Sequence, residues 1–144
     1  MSGVIDASVL VAALIDSGPD GNWAEQFLAG GDLHAPELVR VEAANALRRL
    51  ELAGKLPASE ANAAYEDMLQ LSIELLPFEP FAERIWELRH AVTSYDAWYV
   101  AVAEALGMPL ATLDGRLVGA NGPRCRFITA AGIQQPGRPA TTAD

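Results

Sequence analysis

Cysteine is almost absent from this chain of 144 residues, which has one, Cys125, together with only two histidines. A single cysteine excludes a disulfide within the chain and favours a reducing compartment. With so few thiols and imidazoles, a structural zinc site is also disfavoured. Because Cys125 lies in a short apolar stretch, we predict a buried and inert thiol.

Long hydrophobic runs are missing as well. No run approaches the roughly 20 apolar residues that a membrane-spanning helix requires. The apolar run that begins at Gly3 has no basic segment before it and contains Asp6, so it fits a strand followed by a helix rather than a signal peptide. We therefore expect a cytoplasmic protein with no membrane contact.

Positive charge is scarce, and the formal net charge is -9. This balance argues against a protein that holds nucleic acid by bulk neutralisation of phosphates. It leaves a nuclease open, because bound metal would cancel several negative charges and local arginines could hold phosphates. Glycine-rich phosphate loops of the Walker or G-x-G-x-x-G type are absent, which disfavours nucleotide-binding classes.

The hydrophobic patterning predicts one α/β domain. A hydrophobic fraction of 51% over this length fits a single core. Short apolar runs alternate with amphipathic helical patterns, which is typical of a mainly parallel sheet covered by helices. We place the domain at residues 1–132 and a flexible tail at residues 133–144. Strands are predicted at 4–5, 33–35, 72–76, 109–113 and 127–128. Helices are predicted at 7–14, 22–29, 37–53, 57–71, 80–92 and 94–106, with a loop at 17–21.

Four acids stand at separated places in the chain: Asp6, Glu42, Asp96 and Asp114. Asp6 and Asp114 each follow a predicted strand, and sites in parallel sheets form at the carboxyl ends of strands. Carboxylates brought together repel, and their pKa values rise unless a cation joins them. Hard oxygen ligands suit Mg²⁺ or Mn²⁺. The pattern therefore indicates a metal site of the kind that hydrolyses phosphodiesters.

Each acid also has an ordinary structural alternative. Asp6 can cap the helix that follows it. Glu42 could form an ion pair with Arg49 or another arginine. Asp96 follows a threonine at the spacing of a capping box. Asp114 precedes a glycine, and Asp-Gly pairs are common in turns. The four acids together, with two at strand ends, favour a shared site.

Two hydroxyl residues accompany the acids. Ser8 and Thr112 each stand two residues from an acid and could bind a carboxylate, a metal-bound water or a phosphate. They could equally satisfy backbone groups. His34 and His90 have no matching nucleophile, so we predict structural or surface roles for both.

The ordered set of motifs resembles the PIN domain, and specifically the VapC toxin branch of bacterial toxin–antitoxin pairs. The resemblance extends from residue 1 to about residue 130. The motifs are VIDASVL at residues 4–10, Glu42 on a helix after Pro36, YDA at residues 95–97 and TLDGRL at residues 112–117.

The resemblance implies a three-layer α/β/α sandwich with a short, mainly parallel central sheet. It also implies an endoribonuclease that depends on Mg²⁺ or Mn²⁺, forms a homodimer and is inhibited by a cognate antitoxin. The four acids would be catalytic and hold the metal, and Ser8 and Thr112 would line the site. Arg116 occupies a position where some relatives carry a further acid; it could hold a flanking phosphate or simply be solvated.

Other functions fit the sequence less well or remain open. A receiver would need a lysine at a late strand end, but the only one, Lys55, lies in a predicted helix–helix turn. A phosphatase of the Asp-x-Asp type would need an acid where Ser8 stands. A non-catalytic binding protein, whose acidic pocket receives an arginine from a partner, fits the same residues. Tyr95 and Trp98 could stack RNA bases, although the helical spacing favours a core or dimer-interface role for Trp98.

Overall fold

The computed structural model describes residues 1–137 and contains one six-stranded sheet in the order β3-β2-β1-β4-β5-β6. The strands are β1 (Gly3–Ile5), β2 (Leu33–Pro36), β3 (Glu74–Leu76), β4 (Leu110–Ala111), β5 (Phe127–Thr129) and β6 (Gly132–Gln134). The helices are α1 (Ala7–Ile15), α2 (Pro19–Ala29), α3 (Val39–Leu52), α4 (Ala58–Gln70), α5 (Ala82–Glu87), α6 (Ser94–Leu106) and α7 (Gly115–Val118).

The first five strands run parallel, and only β6 is antiparallel to its neighbour β5. From β1 the chain builds the sheet in one direction through β2 and β3, and then returns to the other side of β1 with β4. Between β1 and β4 the order of strands therefore reverses. In open α/β sheets this reversal leaves a crevice at the carboxyl ends of the two strands, where sites commonly form.

Helices cover the sheet in two groups. Helices α1, α2, α3 and α4 pack against one another, while α6 packs on β1, β2 and β4 with α5 beside it. The central strands are fully buried, as their uninterrupted apolar sequences predict. Val4, Leu110, Tyr99 and Phe127 belong to the main core. The predicted three-layer α/β/α architecture is confirmed.

Several predicted boundaries are wrong. Of the predicted loop at 17–21, residues 19–21 are instead the start of α2, because Pro19 occupies the first helical turn, where its fixed φ and missing N–H are tolerated. The helix predicted at 80–92 is a 3₁₀ turn at Glu79–Phe81 followed by the short helix α5. The helix predicted from residue 37 begins at Val39, since Pro36 still belongs to β2. Helix α7 and strand β6 were not predicted.

The predicted domain boundary falls inside β6, whose residues Ile133 and Gln134 pair with β5. Residues 138–144 of the predicted tail lie outside the described residues, and its flexibility stays a prediction. Across the described part of the chain, no helix has the length and apolar character needed to cross a membrane.

The structure agrees with the roles predicted for Cys125 and His34. Cys125 is buried, and this burial raises the pKa of its thiol to about 12, which keeps it in the unreactive protonated form. His34 lies in β2, and its Nε2 is 2.9 Å from a carboxylate oxygen of Glu74 on the neighbouring strand. Both residues therefore belong to the structural framework.

Candidate active site

Asp6 occupies the end of β1 and the cap of α1 at once. Its Oδ1 accepts a hydrogen bond of 3.2 Å from the backbone N–H of Val9, which is the N-cap geometry. The same oxygen accepts a 2.5 Å hydrogen bond from the hydroxyl of Ser8. Its Oδ2 accepts another of 2.5 Å from the hydroxyl of Thr112. With only 8% of its surface exposed, Asp6 is a buried acid whose two oxygens are both oriented.

The two hydroxyl residues also tie the ends of β1 and β4 together. Ser8 Oγ accepts a hydrogen bond of 3.1 Å from the backbone N–H of Leu113. Thr112 Oγ1 accepts one of 3.0 Å from the backbone N–H of Asp114. Each hydroxyl thus donates to the Asp6 carboxylate and accepts from the segment after β4. This arrangement fixes the position of Asp114 relative to Asp6.

Glu42 reaches the same region from the first turn of α3. It is half-buried, and its Oε1 accepts a hydrogen bond of 3.1 Å from the hydroxyl of Tyr99 on α6. The alternative partner, Arg49, is exposed and forms no ion pair with Glu42 within residues 1–137. The half-buried carboxylate of Glu42 therefore has a tyrosine hydroxyl as its polar partner.

Asp96 lies in the first turn of α6, which Thr93 caps by accepting a hydrogen bond from the backbone N–H of Asp96. Because the capping bond uses only the backbone of Asp96, it leaves the carboxylate available for the site. Asp114 lies beyond β4 and caps α7 through the backbone N–H of Arg116. The side chain of Arg116 is 97% exposed, and its Nε lies 3.9 Å from Asp114 Oδ1.

Burial and the charges of neighbouring acids raise the pKa values of Asp6, Glu42 and Asp96. Burial raises the pKa of Asp6, hydrogen bonds from Ser8, Thr112 and Val9 offset part of the rise, and the charge of Asp96 adds to it. Burial also raises the pKa of Glu42, which the Tyr99 hydroxyl partly offsets and the charges of Asp96 and Asp6 increase.

Asp96 is the electrostatic centre of this group. Burial raises its pKa, the charge of Asp114 raises it further, and Thr93 and Arg116 offset part of the effect. Asp96 therefore interacts with each of the other three acids. The structure places the other three acids that the sequence analysis selected within electrostatic range of Asp96.

The donor set fits Mg²⁺ or Mn²⁺ in its chemistry. It consists of carboxylate oxygens with hydroxyls beside them, without thiols or imidazoles, and hard cations prefer such oxygens. Within residues 1–137, no three carboxyl, imidazole or thiol groups already stand close enough to enclose a cation.

Two cavities flank the acids. The larger, of about 860 Å³, lies between α1 and α3 and is lined by Ser8, Glu42, Arg49 and Tyr95 among mostly apolar neighbours. The smaller, of about 530 Å³, has Asp96 and Asp114 on its wall. The carboxylates thus stand between two concave surfaces, as they would if an extended substrate crossed them. Trp98 is instead partly buried against Phe78, their ring centres 5.6 Å apart, in agreement with a core role.

Sequence reasoning missed Tyr99. Its ring is almost fully buried in the core, whereas its hydroxyl reaches the site and bonds Glu42. The available signal was its position on α6, three residues after Asp96, because residues at this spacing share one side of a helix. The apolar pattern around it concealed that signal.

Comparison with known proteins identifies the family of this chain. The model of the PIN domain matches residues 3–121. Ribonuclease VapC9 of Mycobacterium tuberculosis is 40% identical over 122 residues, which cover 85% of this chain and 93% of that protein. Ribonuclease VapC1 of the same organism is 39% identical over 125 residues, covering 86% and 94%. The chain therefore belongs to the PIN-domain family, in the branch that comprises the VapC ribonucleases.

The solved structures agree with this fold. The protein PAE2754 of Pyrobaculum aerophilum has a TM-score of 0.68 and 25% identity, covering 90% of this chain and 84% of that one. Mycobacterium tuberculosis VapC20, described as a sarcin-ricin loop cleaving toxin, has a TM-score of 0.61 and 20% identity, covering 81% and 92%. At that identity, the second likeness supports the fold alone.

Proposed function

We propose that this protein is a metal-dependent endoribonuclease and the toxin of a toxin–antitoxin pair. One observation carries the proposal: at the crevice between β1 and β4, burial raises the pKa values of Asp6, Glu42 and Asp96, and the charges of neighbouring acids raise them further. A group of desolvated carboxylates that repel one another is suited to a divalent cation. The identity with curated ribonucleases over most of the chain supports RNA as the substrate.

Asp6, Glu42, Asp96 and Asp114 would hold Mg²⁺ or Mn²⁺. The chemistry that such a cation supplies when bound is a water of lowered pKa and neutralisation of charge on the scissile phosphate. Ser8 and Thr112 keep the Asp6 carboxylate in one orientation, and Tyr99 does the same for Glu42. Such supporting hydrogen bonds fix ligand geometry in metal sites.

The attacking water needs a proton acceptor, for which Asp96 and Asp114 are the candidates. Both line the same cavity and are partly exposed, so a water can reach either carboxylate. Burial raises the pKa of Asp96, so this carboxylate accepts a proton more readily than an ordinary aspartate does. Hydrolysis by water requires no covalent enzyme intermediate. The residues of this group also contain no recognisable pair of a nucleophile and a base.

An antitoxin protein and a second copy of the chain are the proposed partners. The support for an antitoxin is that the chain belongs with the VapC ribonucleases, the branch whose resemblance implies a toxin–antitoxin pair. Exposed apolar side chains on the surface, among them Val41, Trp86 and Tyr95, are compatible with protein contacts. The dimer surface is not assigned by these residues.

A non-catalytic protein, whose acidic pocket receives an arginine from its partner, would use the same carboxylates. The two functions differ in turnover, since only the nuclease consumes RNA. The test is incubation of purified, antitoxin-free protein with total RNA in Mg²⁺, in Mn²⁺ and in EDTA. We expect cleavage with either metal and none in EDTA. Absence of cleavage under every metal condition, by protein shown to be folded, would favour the binding function.

A further inference from the structure

The smaller cavity beside the acids is lined by basic as well as acidic side chains. Besides Asp96 and Asp114, it is lined by Arg89, His90 and Arg116. Three potential cationic or donor side chains therefore meet at one edge of the site, in a chain with a formal net charge of -9. Among residues 1–137, the larger cavity on the other side of the acids has mostly apolar walls and Arg49 as its only Lys or Arg.

The three side chains come from separate segments. Arg89 and His90 lie in the turn between α5 and α6, and Arg116 lies on α7. The Arg116 side chain extends into solvent but remains close enough to Asp96 to lower the pKa of that acid. Because these segments converge only in the folded structure, the cationic group has no sequence signature.

Arg89 is held in place before any ligand arrives. Its Nη1 donates a hydrogen bond of 2.8 Å to the backbone carbonyl of Trp86, and its guanidinium carbon lies 4.6 Å from the centre of the Trp86 ring. A guanidinium stacked on an indole keeps several N–H donors free and loses less rotamer freedom on binding an anion. Arg84, by contrast, is engaged by Glu104 and Glu87 and is not available in this way.

We propose that the cavity formed by Arg89, His90 and Arg116 binds a backbone phosphate of the RNA next to the scissile one. The inference rests on the proposed nuclease function, because it uses the position of Asp96 and Asp114 on the cavity wall. Arginine forks match phosphate oxygens, and the imidazole of His90 can donate a further hydrogen bond. The RNA strand then passes over the acids with one flanking phosphate anchored on the α5–α6 side.

The subsite also explains how a chain with a formal net charge of -9 would bind RNA. An acidic protein cannot hold RNA by general attraction, so its affinity must come from a few placed cations. Cations at the cavity wall that carries Asp96 and Asp114 would place the scissile phosphate at the acids as well as contribute affinity.

The test measures binding separately from cleavage. A short, fluorescently labelled single-stranded RNA is titrated in EDTA with wild type, Arg89→Gln and Arg116→Gln over a series of salt concentrations, and anisotropy gives the affinity. The matched control is Arg126→Gln. Arg126 is exposed and directly precedes β5, so it lies at the amino ends of the parallel strands, away from the acids.

We expect each of Arg89→Gln and Arg116→Gln to weaken binding roughly fivefold at low salt and to reduce the salt-dependence slope by about 0.7. Arg126→Gln should match wild type. Trp86→Ala, which keeps Arg89 but removes its support, should weaken binding by less than Arg89→Gln does.

Equal affinity and slope in wild type and both variants would overturn the subsite, as would no measurable binding by wild type. An effect confined to RNA with a 5′-terminal phosphate would overturn the assignment to a backbone phosphate. Cleavage of the same RNA by wild type with Mn²⁺ is recorded in parallel. Cleavage together with unaffected binding by the variants rejects the subsite alone, whereas absence of cleavage counts against the nuclease.

Discussion

The hydroxyl of Thr112 donates a hydrogen bond of 2.5 Å to Oδ2 of Asp6, so the segment after β4 is joined directly to the end of β1. Thr112 has no exposed surface, and the same hydroxyl accepts a hydrogen bond from the backbone N–H of Asp114. One buried side chain therefore orients one proposed metal ligand and positions the backbone of a second. The site depends on this contact for its geometry.

Thr112→Val tests that dependence. Valine has nearly the same shape but leaves Asp6 Oδ2 and the backbone N–H of Asp114 without this partner, so we expect a loss of about 1–3 kcal/mol in the free energy of unfolding. Urea denaturation measures it, and RNA cleavage should fall as well. The matched control is Thr129→Val, whose hydroxyl bonds only the neighbouring turn at the surface. A loss no greater than that of the control would contradict the role of Thr112.

Tyr99→Phe tests the support of Glu42. The ring stays buried, so stability should change little, but the hydrogen bond to Glu42 Oε1 is lost. We expect Mn²⁺ affinity to fall by roughly tenfold, the lower end of what loss of a supporting partner costs in metal sites. Calorimetric titration of Mn²⁺ measures it, with Tyr65→Phe on the exposed face of α4 as control. Unchanged affinity in Tyr99→Phe would show that Glu42 needs no such support.

Stability of the metal-free protein should depend on pH through Asp96. Burial, followed by the charge of Asp114, raises the pKa of Asp96. Between the ordinary carboxyl pKa and the raised one, the folded state binds more protons than the unfolded chain, so stability falls as pH rises through that window. Above the raised pKa the full cost is present.

Asp96→Asn removes this cost and should raise the Tm of the metal-free protein at pH 7 by a few degrees. The advantage should shrink at a pH below the ordinary carboxyl pKa, where Asp96 is protonated in both states. Asp67→Asn, at an exposed position on α4, is the control and should change Tm less. Thermal unfolding in EDTA measures the Tm of both variants. A lower Tm for Asp96→Asn than for wild type at pH 7 would contradict the expected cost of the Asp96 charge.

Arg84 should matter for stability and not for catalysis. Its guanidinium bonds both carboxylate oxygens of Glu104 and the backbone carbonyl of Gly122, which ties α5 to α6 and to the loop before β5. The pair is largely buried, so Arg84→Gln should cost roughly 2 kcal/mol after allowance for its partial exposure. RNA cleavage at 25 °C should remain close to wild type. Arg48→Gln, at an exposed position on α3, is the control.

The sequence predicted the architecture and the four acids because their signals are local. Asp6 directly follows a short apolar strand, and Asp114 follows another, so their place at the carboxyl ends of strands could be derived before the fold was known. The parallel sheet then brings them together without further information. Glu42 and Asp96 each interrupt an apolar helical pattern, which makes both acids recognisable in the sequence.

The contacts that were missed join distant segments. Tyr99 lies within an apolar stretch of α6, and only the folded structure shows that its hydroxyl reaches Glu42 on α3. Arg89 and Arg116 meet across a cavity that no spacing rule encodes. Helix α7 is a single turn capped by Asp114, too short to produce a helical period.

The most direct measurement compares Mn²⁺ binding and RNA cleavage in the same preparations of wild type, Asp96→Asn and Asp67→Asn. If the four acids hold the metal that cleavage requires, wild type and Asp67→Asn bind Mn²⁺ and cleave RNA. Asp96→Asn, although folded, should lose most of the binding and at least about 100-fold in rate. Full cleavage by Asp96→Asn, or cleavage by wild type in EDTA, would contradict the central claim.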